Sequence, residues 1–232
     1  MQYLVTAIVI YLKKLLRKGS FKLNNEKKIK VAVNGGIDFG SKLTANQLRI
    51  LAKYMEDGQE LELTTFQQLY IDIPESKKDE IITDFESVGL HCYPVGNFVK
   101  SLRTCNFCKG AEEEGMPVAI ELNKRIAGKP VPFTLKPAYT GCPVGCGEPL
   151  VNDIGVMKIN GNQYNLYIGG KTKGEDAEAG SLFKEKLNPE ELYTTVEEII
   201  RVYGEKGKKR EPFHKFLKRF GKEELIENIS QV

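Results

Sequence analysis

Cys105-Asn-Phe-Cys108 and Thr140-Gly-Cys-Pro-Val-Gly-Cys-Gly147 are the two stretches on which the reading of this chain turns. Four of its five cysteines fall into these close pairs, with thirty-three residues between them. Each short pair can be presented by one turn or helix start, and the long insertion lets the chain leave and return to a shared centre. Outside a secreted disulfide scaffold, that spacing points to metal or redox chemistry. The competing reading, isolated apolar thiols in a core, does not account for the pairing. Zinc accepts four thiolates, usually with two to four residues inside both pairs. Iron–sulfur clusters accept the same ligands with more varied gaps. Three glycines and a proline surround Cys142 and Cys146. Glycine lets backbone approach a bulky inorganic core and aim N–H groups at its sulfurs. Spacing and flanks therefore favour iron–sulfur, with zinc as the alternative.

Outward from this centre, 232 residues suffice for a substantial core in one domain or two small lobes. A net charge of +3 and the lack of an aromatic-basic stripe give no case for nucleic acid. Five cysteines without a cleavable signal pattern lead to the expectation of a reducing, cytoplasmic setting. Leu4 to Leu12 is nearly all apolar and is followed by Lys13, Lys14, Arg17 and Lys18. It is too short for a confident span and reads as a packed terminal helix, or as an amphipathic membrane anchor. The stretch from Lys18 to Lys30 reads as a solvated linker.

The strand expected from Lys30 breaks at two glycines. Thr44 is placed as N-cap of a helix over Ala45 to Met55, with Leu48, Leu51, Ala52 and Met55 on one face. Alternation from Glu60 to Ile73 predicts one long strand. A helix from Pro74 to Val88 and a short strand at Leu90 to Tyr93 follow, the latter carrying Cys92 as a plain core thiol. A helix is expected over Ala111 to Ala127, a strand over Pro132 to Tyr139, and a short helix between Gly147 and Ile154. A hairpin turns at Asn160-Gly161-Asn162, then comes a basic, glycine-rich loop, Gly169-Gly-Lys-Thr-Lys-Gly174. Asn188 and Pro189 start a helix through Tyr203, and Phe213 to Phe220 has helical spacing in a polar tail. Strand and helix alternating in this way indicate an α+β fold. His91 and His214 stand isolated in sequence, with no nucleophile-and-base pair in view.

Thr65-Phe-Gln-Gln-Leu-Tyr-Ile, Ile73-Pro-Glu-Ser and Ser87-Val-Gly-Leu90 resemble the ferredoxin-like half-domain of the sulfite and nitrite reductase family. Thr140-Gly-Cys-Pro-Val-Gly-Cys-Gly-Glu-Pro, Asp153-Ile-Gly-Val and Tyr164-Asn-Leu-Tyr-Ile-Gly-Gly resemble its cluster-bearing domain. The resemblance spans roughly residues 40 to 220. Beyond an N-terminal apolar and basic segment and linker over 1–28, it implies a ferredoxin-like half-domain over 29–98 and a sulfite-reductase-type α/β cluster-binding domain with C-terminal helices over 99–232. It further implies a [4Fe-4S] cluster on Cys105, Cys108, Cys142 and Cys146, with Cys146 bridging to siroheme. Arg103, Lys109, Lys136, Lys171 and Lys173, with Gly169 and Gly170, are the implied contacts of the polycarboxylate haem. Arg103 and Lys136 are also the candidates for polarising a bound oxyanion such as sulfite or nitrite.

Two departures from the family pattern matter. The first pair has two intervening residues where the family usually has five, and the chain carries one half of a normally two-half enzyme. It resembles the second, cluster-carrying half, since Phe66 stands where the catalytic half has a substrate-binding arginine. The implied partners are a small inorganic anion, an electron-donor protein or reductase subunit, and a second copy or second subunit completing the siroheme pocket. A cluster-only electron-transfer module and a structural zinc protein are the alternatives.

Overall fold

The computed structural model describes residues 26–34, 42–105 and 109–230. The first layer is built on β1 (Lys28–Val33), whose Val31 and Val33 turn inward while Lys28 and Lys30 face solvent. The strand therefore starts inside the lysine-rich stretch expected to be linker, because those lysines form one strand face. β2 (Glu62–Leu63), β3 (Leu69–Pro74) and β4 (Cys92–Pro94) complete an antiparallel sheet in the order β2-β3-β1-β4. Helix α1 (Ala45–Lys53) lies between β1 and β2, and α2 (Lys78–Ser87) between β3 and β4. This succession and strand order are the ferredoxin-like arrangement. Ile71, Ile73, Ile81, Phe85 and Leu51 fill its core. Thr44 caps α1 in a reciprocal box with Gln47.

The single long strand expected from Glu60 to Ile73 is a hairpin instead. The Thr64 hydroxyl accepts from the backbone N–H groups of Phe66 and Gln68, at 3.3 and 3.1 Å, and Gln67 takes a φ of 61°. A side chain that captures backbone donors two and four residues on makes a turn that alternation alone does not reveal.

The second layer is a five-stranded sheet in sequence order: β5 (Arg103–Thr104), β6 (Pro137–Thr140), β7 (Ile154–Asn160), β8 (Gln163–Ile168) and β9 (Ser181–Leu187). β5, β6 and β7 run parallel, and β8 and β9 continue antiparallel. Parallel neighbours need a long crossover. Helix α3 (Lys109–Ile126) supplies the one between β5 and β6. Helix α4 (Pro189–Lys206) packs beside it, and Leu122, Ile126, Tyr139, Val156, Leu166 and Ile199 share the core. Between Gly147 and Ile154 the expected helix is a single 3-10 turn, Pro149–Val151.

The tail is more ordered than its polarity suggests, forming α5 (Phe213–Phe220) and α6 (Lys222–Ser230). Tyr203 anchors α5: its ring lies 5.1 Å from both Phe213 and Phe216, and its hydroxyl donates to Glu211 O at 2.6 Å. Among the described residues no helix is long and apolar enough to cross a membrane, and the apolar segment Leu4 to Leu12 lies outside them.

The two layers meet at Lys100. Its Nζ donates to Gln68 Oε1 at 2.9 Å and to the Tyr70 hydroxyl at 2.6 Å, and it stands 5.5 Å from the Phe66 ring. Burial pulls its pKa down to about 8.

Helix α4 gives a simple check of the second layer. Asn188 accepts from Glu191 N at 3.0 Å while Glu191 returns a bond to Asn188 N at 2.9 Å. Asn188→Ala is expected to cost about 1 kcal/mol in urea unfolding with an unchanged denaturant slope.

Candidate functional site

The thiols are positioned by parallel pairing. Thr104 on β5 is in register with Tyr139 on β6, so Cys105 and the loop opening at Thr140 leave the sheet side by side. Cys105 is buried, and its Sγ lies 3.2 Å from Thr140 Oγ1 and accepts from Gly141 N–H at 3.4 Å. The Thr140 hydroxyl also donates to Cys142 O at 3.2 Å. Cys142 is half-buried and Cys146 exposed. The loop closes on itself through Gly145 N–H to Cys142 O and Glu148 N–H to Gly145 O, at 3.3 and 2.8 Å.

Among the described residues no three His, Cys, Asp or Glu side chains converge on one point as ready metal ligands. Cys108 lies outside the described residues, as does the side chain of Lys109, the first residue of α3. Cys92 sits apart in β4, half-buried, its thiol pushed up to about 12 chiefly by burial.

Arg103 stands at the start of β5 and forms an ion pair with Glu148 at 2.7 Å, tying the strand before Cys105 to the residue after Gly147. Its Nε is buried and has no hydrogen-bond partner. Gly147 makes the return of the loop possible. A Cβ there would fall 1.9 Å from Tyr139 O, far inside contact distance.

The other cationic candidates lie elsewhere. Lys136 precedes β6, while Cys142 follows it. At about 3.3 Å per residue, the strand between them places the two roughly 13 Å or more apart. Residues 148–152 run back across the sheet toward that second edge. There the backbone at Gly170 presses against Leu150 O and Asn152, so that a Cβ would sit 2.4 Å from Leu150 O. Lys136, Gly170, Lys171 and Lys173 line one cleft of about 170 Å³ together with Asp153, Thr172 and His214. Gly169 N–H donates to Asp153 O at 2.8 Å. The Asp153 carboxylate accepts from Lys136 N–H at 2.9 Å. Burial pushes its pKa up to about 7, against the opposing pull of that bond and of the Lys136 charge.

His214, isolated in sequence, is thus part of a cluster in space, with Nε2 buried and lacking a hydrogen-bond partner. Lys100 and His214 escaped the sequence reading because their neighbours come from distant segments. No local motif marks either one.

Two expectations test this geometry. Gly147→Ala should disrupt the loop, with loss of soluble protein or a fall of several °C in melting temperature, because a backbone carbonyl cannot yield to a Cβ. An Asp whose pKa rises from about 3.9 unfolded to about 7 folded binds more protons when folded, so wild-type stability falls as pH rises from about 4 to 7 and levels above. Asp153→Asn should flatten that slope, on the order of a few kcal/mol, in urea midpoints measured across the window.

Residues 98–232 match the family model described as nitrite and sulphite reductase 4Fe-4S domain. The chain is 34% identical over 189 residues to a cobalt-factor III methyltransferase of Priestia megaterium, covering 82% of this chain and 34% of that protein. It is 28% identical over 155 residues to a nitrite reductase [NAD(P)H] of Bacillus subtilis (strain 168), covering 65% of this chain and 19% of the relative. The chain thus spans about a third and about a fifth of these relatives' lengths. A dissimilatory sulfite reductase I superimposes with a TM-score of 0.69 at 15% identity, covering 88% of this chain and 69% of its own, which shows a shared fold. With the family model matching more than half of its residues, the chain belongs to the nitrite and sulphite reductase 4Fe-4S domain family.

Proposed function

We propose that this chain is a redox protein that holds a [4Fe-4S] cluster through Cys105, Cys108, Cys142 and Cys146 and passes electrons toward a small oxyanion such as sulfite or nitrite. The observation that carries this reading is the side-by-side exit of Cys105 and the Cys142–Cys146 loop from parallel strands, with Gly141 N–H already directed at Cys105 Sγ.

The residues present suit such a cluster. The donor set is soft thiolate. An N–H group faces sulfur, and Gly147 lets the chain fold tightly behind the thiols. When bound, the cluster supplies one-electron storage. Cys105 provides a buried ligand and Cys146 an exposed one, so the loop offers the cluster an inner anchor and an outer face. The hydrogen bond from Gly141 N–H to Cys105 Sγ withdraws charge from the thiolate, and Thr140 Oγ1, 3.2 Å from that sulfur, helps hold its orientation. Arg103, paired with Glu148, keeps the two ligand-bearing segments together and leaves its buried Nε free to donate. Siroheme would be held next to Cys146 and would supply the macrocycle iron at which a small oxyanion is reduced. The remaining wall of its pocket then comes from a second copy or a partner subunit, and an electron-donor protein feeds the centre.

A second reading has its own support. The methyltransferase match covers more of this chain than the nitrite reductase match does. Phe66, at the position where the family's catalytic half has a substrate-binding arginine, is buried. In that reading the chain is a cluster-only electron-transfer module serving an enzyme that acts on a cobalt factor.

Anaerobic purification, with iron, sulfide and zinc assays and a visible spectrum on one sample, tests both. About four irons and four sulfides per chain are expected, and Cys142→Ser or Cys146→Ser should remove most of both. Macrocycle bands would favour oxyanion reduction, and their absence the electron-transfer module. Zinc without sulfide would end both readings.

A further inference from the structure

The cleft at the far edge of the second sheet has a composition that the cysteine centre does not explain. Lys136 enters from the start of β6, Asp153 from the start of β7, and Lys171, Thr172 and Lys173 from the loop after β8. His214 enters from the first turn of α5. These segments are far apart in sequence, yet their strand ends coincide because Ile154 pairs with Ile168. Lys136 and Lys173 are exposed and form no ion pair among the described residues. Lys171 is held at the rim by Asp176. Pro212 has no side-chain group to cap the first N–H groups of α5, whose first turn carries no acidic residue. That helix end is electropositive. His214 contributes the buried Nε2 that lacks a hydrogen-bond partner, with Asp176 Oδ2 3.8 Å away.

We propose that this cleft is an oxyanion-binding site, separate from the cysteine centre, in which Lys136, Lys173, His214 and the first turn of α5 hold a small inorganic anion of the sulfate or phosphate class. About 170 Å³ is the space of five or six waters. That admits a small oxyanion with part of its hydration shell and is below the 300 Å³ or so at which organic-ligand pockets begin. Lysine side chains, the His214 imidazole and the amino end of α5 line the cleft from separate segments, the three kinds of donor that an array of anionic oxygens accepts from. The site lies the length of β6 from the thiols, so an anion there is bound without meeting the centre that transfers electrons. The inference does not depend on cluster binding.

Asp153 makes the site pH-sensitive. Its carboxylate is the one acidic group on the sheet side of the cleft, and with a pKa near 7 it loses its charge, and its repulsion, just below neutrality. The other charged or titratable groups facing it or His214 are Lys136, Lys171, Asp176, Tyr203, Lys215 and Lys218, the last paired with Glu178. Of these, the His214 imidazole, held below its usual pKa mainly by burial, is the group that gains charge as pH falls. Both changes strengthen anion binding toward acid.

The test is calorimetric titration of the full chain with sodium sulfate and sodium phosphate, against sodium chloride at equal ionic strength. Saturable binding of sulfate or phosphate is expected, tightening several-fold from pH 8 to pH 6. Lys136→Met, Lys173→Met and His214→Gln should each weaken it about tenfold, the loss of one charged or buried hydrogen bond. Asp153→Asn should bind more tightly at pH 8 and lose most of the pH dependence. Lys78→Met, an exposed lysine on the other layer, should bind as wild type. Lys173→Met changes an exposed residue, so it keeps the test decisive if another variant fails to fold. Heats no larger than those of chloride, or equal weakening by Lys78→Met, would overturn the proposal. Chelation or loss of iron should leave the binding unchanged, so its failure and that of the cluster reading are separable.

Discussion

Strand β6 is the constraint on which the second layer depends. All four of its residues are buried, it is paired in parallel on both sides, and its two ends open onto different chemistry. At its carboxyl end the register with β5 sets Cys105 against Thr140 and Gly141. At its amino end Lys136 meets the Asp153 carboxylate. Tyr139 fixes the middle: its hydroxyl reaches Gly115 O on α3 at 3.1 Å while its ring packs against Tyr164. A buried tyrosine that spends its polar tip on a helix backbone locks the crossover helix to the strand it serves. Sulfur chemistry and cationic chemistry are thereby divided between opposite edges of one sheet.

Much of the architecture was legible because local signals and tertiary demand agree. Asn160-Gly161-Asn162 turns the β7–β8 hairpin where its sequence predicts, and Asn188-Pro189 starts α4 with a reciprocal cap. The parts that were not legible have identifiable causes. β9 buries Phe183 and Leu187 but leaves Glu185 between them exposed, and its pairing with β8 slips twice, so the alternation that marks a strand is lost. The β2–β3 turn is made by a threonine hydroxyl rather than by glycine or proline. α6 hides in a polar tail, since only Leu225 and Ile229 of it reach the core.

The candidate sites divide in the same way. Cysteines announce themselves by spacing, since close pairs survive any arrangement of the chain around them. The cleft is assembled from four separated segments, each carrying one ordinary polar residue, and only the coincidence of strand ends makes them neighbours. The family resemblance implies Lys136, Lys171 and Lys173 as contacts of one macrocycle. In space they line one cleft at the amino end of β6.

The segment from Gly147 to Asn152 behaves as a spacer of fixed length. It is pinned at one end where Gly147 lies on the Tyr139 carbonyl and at the other where Leu150 and Asn152 press on Gly170, with neither pin leaving room for a methyl group. An insertion or deletion between the pins would have to unseat a backbone contact, whereas the side chain of Val144, 80% exposed at the tip of the preceding loop, can be exchanged without touching either pin. Substitutions among related chains are therefore expected to collect at the loop tip, and changes of length to spare both the spacer and the gap between Cys142 and Cys146. The separation between thiols and cations then stays constant while the surface offered to a partner changes.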